Sequence, residues 1–359
     1  MSEMRQILEL WKRAQAAGDA VCLATVVGIE GSAYRRPGAR MVLTSAGLRA
    51  GTVSGGCLEG EIAKKAWWLT EQGASVQRYS SFFDDELAAG GEMPYGLGCG
   101  GTVVVLLERG EAARETLEAL RRSVEDRTAS VVVMDLGART AGTVLILEEL
   151  GTGGYQRKGG ADARAEALAA EALRGRSSRT VESEGAEFYV EYLAPPPALF
   201  VFGAGDDAQP LVEFATGLDW HVTVADGRSQ LARSDRFPEA ARVMGMREAL
   251  EAVCAADAAV VMTHSYEQDG EALRGLLPLG MRYLGVLGPS RRTERLVTEI
   301  AGEIGLMVEE CLAQLHSPVG LDLGGHSPAA IALSIAAELQ AVLAGRGAKK
   351  LSVAKLIHV

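Results

Sequence analysis

The sequence has little cysteine, a deficit of positive charge and no long apolar run. Its five cysteines, at 22, 57, 99, 254 and 311, form no C-x-x-C pair. An odd cysteine count without a signal peptide predicts reduced thiols in a cytoplasmic protein. The net charge of −11 argues against a general nucleic-acid or anionic-membrane binder. No apolar run reaches the ~18 residues that a membrane-spanning helix needs.

Glycine, in contrast, is abundant. It accounts for 43 of the 359 residues, well above its usual share of ~7%. These glycines cluster in short runs between apolar segments, which indicates backbone that approaches ligands. The length predicts two domains, or three, at ~150 residues for each.

Three consecutive prolines, Pro195, Pro196 and Pro197, mark the expected domain boundary, because proline continues neither a helix nor a central strand. Residues 1–194 predict a mixed α/β domain with a core at 1–110 and a variable middle region at 111–194. The strand pair of this middle region echoes the opening strands, as in a diverged half-repeat. Strands and helices then alternate over 195–345, which predicts a Rossmann-like, doubly wound parallel sheet. Residues 346–359 form a tail.

Hydrophobic periodicity predicts the individual elements. In the first domain, helices are expected at 3–17, 58–70, 111–124 and 161–174, and strands at 21–28, 41–44, 51–53, 102–108, 129–135, 142–148 and 186–193. In the second domain, strands are expected at 198–202, 221–225, 258–263 and 283–287, and helices near 207–217, 246–256, 267–277, 290–304 and 328–344.

A nucleotide-binding fingerprint opens the second domain. Residues 203–208 fit G-x-G-x-x-A directly after a predicted strand, where Gly203 and Gly205 allow a tight turn and the close approach of a pyrophosphate. Asp226 ends the next strand, where a carboxylate would bind ribose hydroxyls. The pattern predicts a Rossmann-type domain and a site for NAD(P) or another nucleotide.

Asp206 and Asp207 complicate this prediction, because they place two carboxylates where a phosphate would meet the helix N-terminus. A favourable charge in the first helical turn explains the same two residues equally well.

Two further loops follow strands of the same sheet. His264 lies where open α/β sheets place ligands, so it either contacts a ligand or is a hydrogen-bonded loop histidine. Ser290 is suited to cap the next helix. Arg291 and Arg292 oppose the dipole of that helix, which indicates a nearby anion or a salt-bridged surface.

The first domain has its own cationic stretch. Residues 31–52 contain Arg35, Arg36, Arg40 and Arg49 and no acidic residue. This local excess of charge is either a solvated face or a pocket for an anion, and its glycine-rich context favours the pocket.

Two cysteines lie among glycines. Cys57 follows Gly55 and Gly56 and leads into a predicted helix, where the helix N-terminus and nearby arginines favour the thiolate. Cys99 lies between two glycines, so nothing bulky hinders a ligand there. Buried structural cysteines are the alternative, and a disulfide between the two conflicts with the inferred compartment. Zinc is not expected, because no further ligands have suitable spacing.

These motifs resemble the xanthine dehydrogenase accessory factor family (XdhC/CoxI). The matching segments are ATVVGIEGSAYRRPGARM (24–41), GTVSGGCLE (51–59), GLGCGG (96–101), VFGAG (201–205), VVMTH (260–264) and SPVGLDLG (317–324). They span both predicted domains, and only the middle region matches poorly.

The resemblance implies a chaperone for the molybdenum cofactor rather than an enzyme with its own turnover. Such proteins bind molybdopterin, support its sulfuration with a cysteine desulfurase, and deliver it to a molybdenum hydroxylase of the xanthine dehydrogenase type. A homodimer is expected. An anionic pterin suits arginines and open glycine loops, and molybdenum accepts soft thiolate ligands. Cys57, ahead of Cys99, is thus the expected metal ligand, with Arg35, Arg36 and Arg40 as anion contacts.

Two alternatives from other classes remain at this point. A nicotinamide-dependent oxidoreductase would use the Rossmann domain with Cys57 or His264, but the sequence offers no recognisable acid–base pair for it. A nucleotide-sensing regulatory protein would bind no metal.

Overall fold

The chain forms two compact units, Glu3–Pro196 and the part from Pro197 onward. The computed structural model describes residues 2–80, 101–150, 154–160, 162–350 and 352. No helix in these ranges is long and apolar enough to cross a membrane.

The first unit contains four helices and ten strands within the described residues. They are α1 (Glu3–Ala17), β1 (Val21–Gly31), β2 (Arg40–Thr44), β3 (Arg49–Gly51), α2 (Glu59–Leu69), β4 (Ser75–Ser80), β5 (Gly101–Arg109), α3 (Gly110–Glu125), β6 (Ser130–Asp135), β7 (Gly142–Glu149), β8 (Tyr155–Gly159), α4 (Ala163–Gly175), β9 (Arg179–Ser183) and β10 (Ala186–Leu193).

These elements form the same motif twice. One antiparallel sheet has the order β3-β2-β1-β5-β4, and the other has the order β8-β7-β6-β10-β9. In each copy a helix precedes the first strand and another lies between the third and fourth strands. The half-repeat suggested by the sequence is therefore present, and it extends to the whole α-β-β-β-α-β-β motif.

Alternating side chains build the layers of this unit. On β1, Leu23 and Val27 face the same core as α1 and α3, which lie between the two sheets. Cys22 and Ala24 face the opposite core, which α2 covers. Helix α4 covers the outer face of the second sheet. The period-2 alternation of a strand thus gives each sheet two buried faces.

The second unit is a six-stranded sheet covered by helices on both faces. Its elements are β11 (Ala198–Phe202), α5 (Ala208–Gly217), β12 (His221–Asp226), β13 (Arg242–Gly245), α6 (Met246–Ala252), β14 (Ala258–Val261), α7 (Tyr266–Leu276), β15 (Tyr283–Val286), α8 (Ser290–Ile300), α9 (Val308–Ala313), β16 (Leu315–His316) and α10 (Pro328–Leu343), with a short 3-10 helix at Leu277–Leu279.

All strand pairs of this sheet are parallel, in the order β13-β12-β11-β14-β15-β16. This is the strand order 3-2-1-4-5-6 of a Rossmann fold. Helices α5 and α10 pack on one face, and α6 to α9 pack on the other. The predicted doubly wound parallel sheet is confirmed.

Candidate functional site

The glycine-rich segments of the first unit begin at the same end of its first sheet, where several of its strands start or finish. Strands β1 and β3 are both antiparallel to β2 and therefore finish at the same end of the sheet. The segments 32–39 and 52–58 start at that end. Gly31 pairs with Gly101 at this end of the sheet. Cys99 precedes that pair by two positions in the chain, and it lies outside the described residues.

The second repeat provides an internal comparison for these segments. Where the first repeat has 32–39, 52–58 and 81–100, the second has 136–141, 160–162 and 184–185. The second set contains no cysteine and a single arginine, Arg139. The second repeat forms the same strand order with these shorter segments. The longer segments of the first repeat are therefore not needed for the fold. Their arginines and cysteines therefore suit a function.

The Cys57 thiol is exposed just ahead of α2. The segment that carries it is held by Glu59, whose side chain is only 3% exposed. One carboxylate oxygen accepts from the backbone N–H groups of Val53 and Ser54 at 3.0 and 2.9 Å. The other accepts from the Ser54 hydroxyl at 2.8 Å, and that hydroxyl accepts from the Leu58 N–H at 2.8 Å. One buried carboxylate thus fixes both ends of the cysteine segment.

Glu59 remains ionised in this position. Burial by itself would raise the pKa of this carboxyl, but the hydrogen bonds from Ser54, Glu59 itself and Val53 lower it below the usual value. Glu59 is not among the site residues predicted from the sequence. The available signal was an acid two residues after the cysteine, at the start of an expected helix.

The three predicted anion-binding arginines have different environments. Arg36 is exposed and is unpaired within the described part of the chain. Arg35 forms an ion pair with Glu3 on α1. Arg40 is 2% exposed, and its guanidinium is bound by the Glu191 carboxylate of the second repeat. Of the three, Arg36 alone has no side-chain partner among the residues that the structure describes.

Tyr34 joins the two glycine-rich segments. Its ring is 71% exposed, and its Cβ lies 3.9 Å from the position that a Cβ on Gly55 would take. The segments carrying Arg36 and Cys57 therefore pack side by side. Gly55 and Gly56 both have positive φ, at 88° and 119°, a conformation that favours glycine.

Within the described part of the chain, the Cys57 thiol belongs to no metal cage made by protein side chains. Over the residues the structure describes, no group of three His, Cys, Asp or Glu side chains could hold a metal ion. The described residues would therefore supply no more than two ligands of these types to a metal bound through Cys57.

The Rossmann unit has its own crevice, where Gly203 follows β11. Gly203 has φ 128° and packs against the backbone at Met262 and Thr263, so only glycine fits there. The two carboxylates that follow are both paired. Arg236 donates to Asp206 at 2.6 Å, and His264 Nε2 lies 2.6 Å from an Asp207 oxygen.

Asp226 lies at the end of β12 as predicted, but its oxygens have protein partners. Arg228 donates to both oxygens at 2.9 and 2.8 Å, and the Ala204 N–H donates at 2.8 Å. Burial raises the pKa of Asp226, and the Arg228 hydrogen bonds more than offset this, leaving the pKa below its usual value. A ribose would compete with Arg228, so the predicted ribose contact stays a prediction.

The remaining predicted residues lie in α8 or at its start. The prediction that Ser290 caps this helix is wrong: Pro289 is the N-cap, and Ser290 is the first helical residue. Arg291 is exposed. Arg292 is ion-paired at 2.6 Å with Asp269, whose side chain is buried.

Comparison with known proteins agrees with both units. The model of the XdhC and CoxI family matches residues 14–80, and that of the XdhC Rossmann domain matches 199–339. A protein of Bacillus subtilis (strain 168) named as a probable subunit of xanthine dehydrogenase is 30% identical over 330 residues, which is 88% of this chain and 91% of the relative. The molybdenum cofactor insertion chaperone PaoD of Escherichia coli (strain K12) is 26% identical, over 94% of this chain and 88% of its own length.

A solved structure described as a xanthine dehydrogenase from Bacillus halodurans has a TM-score of 0.74 and 28% identity. It covers 98% of both chains. The matched ranges include the segments 32–39 and 52–58 of the first unit and the turn at Gly203 of the Rossmann unit. This chain therefore belongs to the XdhC and CoxI family.

Proposed function

We propose that this chain is a chaperone that binds the molybdenum cofactor, supports its sulfuration and inserts it into a molybdenum hydroxylase of the xanthine dehydrogenase type. The observation that carries the proposal is the exposed Cys57 thiol, held on a glycine-rich segment by the buried Glu59. The names of the two relatives, one a cofactor insertion chaperone and the other a probable part of a xanthine dehydrogenase, support it.

The residues at this end of the first sheet fit the molybdenum cofactor. Molybdenum accepts soft thiolate ligands, and the cofactor supplies its own dithiolene ligands, so one protein thiol is sufficient. Arg36, which has no side-chain partner among the described residues, offers its guanidinium for the phosphate of the pterin. Gly55 and Gly56 leave room for a planar ring beside the Tyr34 side chain. In this arrangement Cys57 holds the metal, Arg36 binds the anion and Glu59 keeps the thiol in place.

The role of Cys57 is tested by the metal content of protein purified from a host that makes the cofactor. We expect Cys57→Ser to lose most of its molybdenum and pterin per chain. Cys254→Ser is the matched control, because Cys254 is also exposed but lies in the Rossmann unit. Equal molybdenum in Cys57→Ser and the parent protein would refute the assignment of this thiol.

The partner proposals need a separate test. A cysteine desulfurase is proposed as the sulfur donor, and a cofactor-free hydroxylase as the acceptor. Loaded chain should restore hydroxylase activity only after incubation with the desulfurase and cysteine. Full activity without that step would remove sulfuration from the proposal and leave insertion alone.

A nicotinamide-dependent oxidoreductase finds less support. Its cofactor would need the turn at Gly203 open to a pyrophosphate, whereas the Asp206 carboxylate is ion-paired with Arg236 and the Asp207 carboxylate contacts His264 there.

A further inference from the structure

The glycine-rich segments 32–39 and 52–58 are both bonded to one carboxylate, that of Glu3. One Glu3 oxygen accepts from the Thr52 N–H at 2.8 Å and from the Thr52 hydroxyl at 3.3 Å, at the start of the second segment. The other oxygen accepts from the Arg35 guanidinium in the first segment. Because Glu3 is bonded to both segments at once, it fixes the position of one relative to the other.

Helix α1 holds this carboxylate in place. Glu3 is the first residue of the helix, and Ile7, one turn later, is buried. Residues four apart lie on the same side of a helix, so the turn that carries Glu3 is held against the core. Ile7 also packs on β3, since a Cβ on Gly51 would lie 2.6 Å from its Cδ1. The helix therefore brings the carboxylate next to the residue at which the segment 52–58 begins.

The separation that Glu3 controls is the one between Arg36 and Cys57. Arg36 is the next residue after Arg35, and Cys57 belongs to the other segment. Glu59 and Glu191 hold the further parts of the two segments, but each is bonded to one segment. The relative position of the guanidinium and the thiol therefore depends on the carboxylate that is bonded to both segments.

We propose that Glu3 is a positioning residue of the cofactor site, which sets the separation between the Arg36 guanidinium and the Cys57 thiol. This inference rests on the proposed function. A ligand bound at both groups needs an anionic end and a thiophilic metal at that separation from each other. Glu3 thereby selects ligands by their length without touching them.

The separation is tested in the cofactor-free chain through the chemistry of the Cys57 thiol. Iodoacetate and iodoacetamide alkylate the same thiolate and differ by one negative charge. The ratio of their rates at low salt, followed for the Cys57 peptide by mass spectrometry, therefore measures the effect of a nearby cation. Arg36→Gln should lower this ratio about three- to fivefold, the effect of one unit charge at about 5 Å in water. An unchanged ratio would overturn the proposal.

The variant that separates the two segments is Glu3→Ala/Arg35→Met. It removes both members of the ion pair and therefore leaves the net charge of the site unchanged. We expect the rate ratio at Cys57 to fall to its value in Arg36→Gln, because the guanidinium is then no longer held near the thiol. The ratio at Cys254, which is exposed in the Rossmann unit, should stay constant and serves as the internal reference.

Lys12→Met/Glu125→Ala is the matched control. It removes an ion pair that joins α1 to α3, with side-chain exposures of 46% and 37% against 31% and 38% for Arg35 and Glu3. Its rate ratio at Cys57 should equal that of the parent. A parent-like ratio in Glu3→Ala/Arg35→Met, or an equal fall in the control, would overturn the proposal. Urea midpoints verify that each variant is folded.

Molybdenum content separates this proposal from the proposed function. In a host that makes the cofactor, Glu3→Ala/Arg35→Met should retain as little molybdenum per chain as Arg36→Gln, and parent-like retention would overturn the positioning role. Glu3→Ala alone should also retain less, whereas an increase would show that the freed Arg35 binds the anion and would overturn the proposal. A parent without molybdenum would refute the proposed function, and the alkylation ratios would still decide the role of Glu3.

Discussion

Replacing Arg40 by methionine would distinguish an arginine that stabilises the fold from one that binds the cofactor. Its guanidinium donates to one Glu191 oxygen and to the Gly38 carbonyl, each at 2.9 Å, and also contacts the second Glu191 oxygen. Methionine retains most of the apolar length of the side chain. The substitution therefore removes the ion pair and leaves the Glu191 carboxylate buried without its cation.

The expected cost follows from this burial. Removing one partner of a buried ion pair costs about 3–5 kcal/mol, because the other charge stays desolvated. Arg40→Met should lower the free energy of unfolding by that amount, which is a large share of the ~5–15 kcal/mol typical of a domain. The double variant Arg40→Met/Glu191→Gln should be more stable than Arg40→Met, since it leaves no unpaired charge.

Urea denaturation followed by circular dichroism measures these differences. Arg36→Met is the control, because Arg36 is exposed and surface substitutions usually change stability by less than about 0.5 kcal/mol. If Arg40→Met lowers the stability by less than about 1 kcal/mol while molybdenum retention is lost, the structural role of Arg40 is refuted. The expectation from the sequence, that Arg40 contacts the cofactor, would then be correct.

Three further predictions concern neighbouring residues. Arg36→Gln should weaken cofactor binding about 10- to 100-fold in a cofactor titration, the loss expected for one charge-assisted hydrogen bond, without changing the unfolding midpoint of the cofactor-free protein. Glu59→Ala should lower both the unfolding free energy, by about 1–3 kcal/mol, and molybdenum retention, because the Val53 and Ser54 N–H groups lose their acceptor; unchanged retention would contradict its positioning role. Burial raises the pKa of Glu108 above its ordinary 4.5, so its contribution to stability is complete below pH 4.5 and is lost as the pH rises. Glu108→Gln should therefore flatten the dependence of the urea midpoint on pH above 4.5 and stabilise the protein near neutral pH; a midpoint that falls as steeply as in the parent would contradict this.

The strands that sequence analysis missed share one position in the fold. β4, β8, β9, β13 and β16 are all edge strands of their sheets. Edge strands are short and polar, because one side faces solvent and hydrophobic edges would invite aggregation. Strand β8, for example, is YQRKG and is mostly exposed. Hydrophobic periodicity locates central strands such as β11, whose five residues are all buried, and has little to detect at the edges.

The motifs of the candidate site could be predicted from the sequence, but the side-chain partners of its arginines could not. The glycine-rich segment predicts Cys57 as a site residue, and the structure shows that this cysteine is exposed on that segment. The roles of Arg35 and Arg40 depend on Glu3 and Glu191, which are distant in the chain. Nothing in the stretch 31–52 distinguishes an arginine with such a partner from one without, so only the tertiary structure singles out Arg36.

The Arg40–Glu191 pair also gives the second repeat a role at the site of the first. The middle region lies outside the residues matched by the two family models, and it lacks the long arginine- and cysteine-bearing segments. Its Glu191 nevertheless holds Arg40, at the end of the segment that carries Arg36. The fit is close, because a Cβ on Gly38 would lie 2.8 Å from a Glu191 oxygen. That oxygen and the Gly38 carbonyl both accept from Arg40. The second repeat, which lacks the long segments, therefore fixes the end of the segment 32–39 in the first repeat. The ion pair with Arg40 therefore requires a carboxylate at position 191.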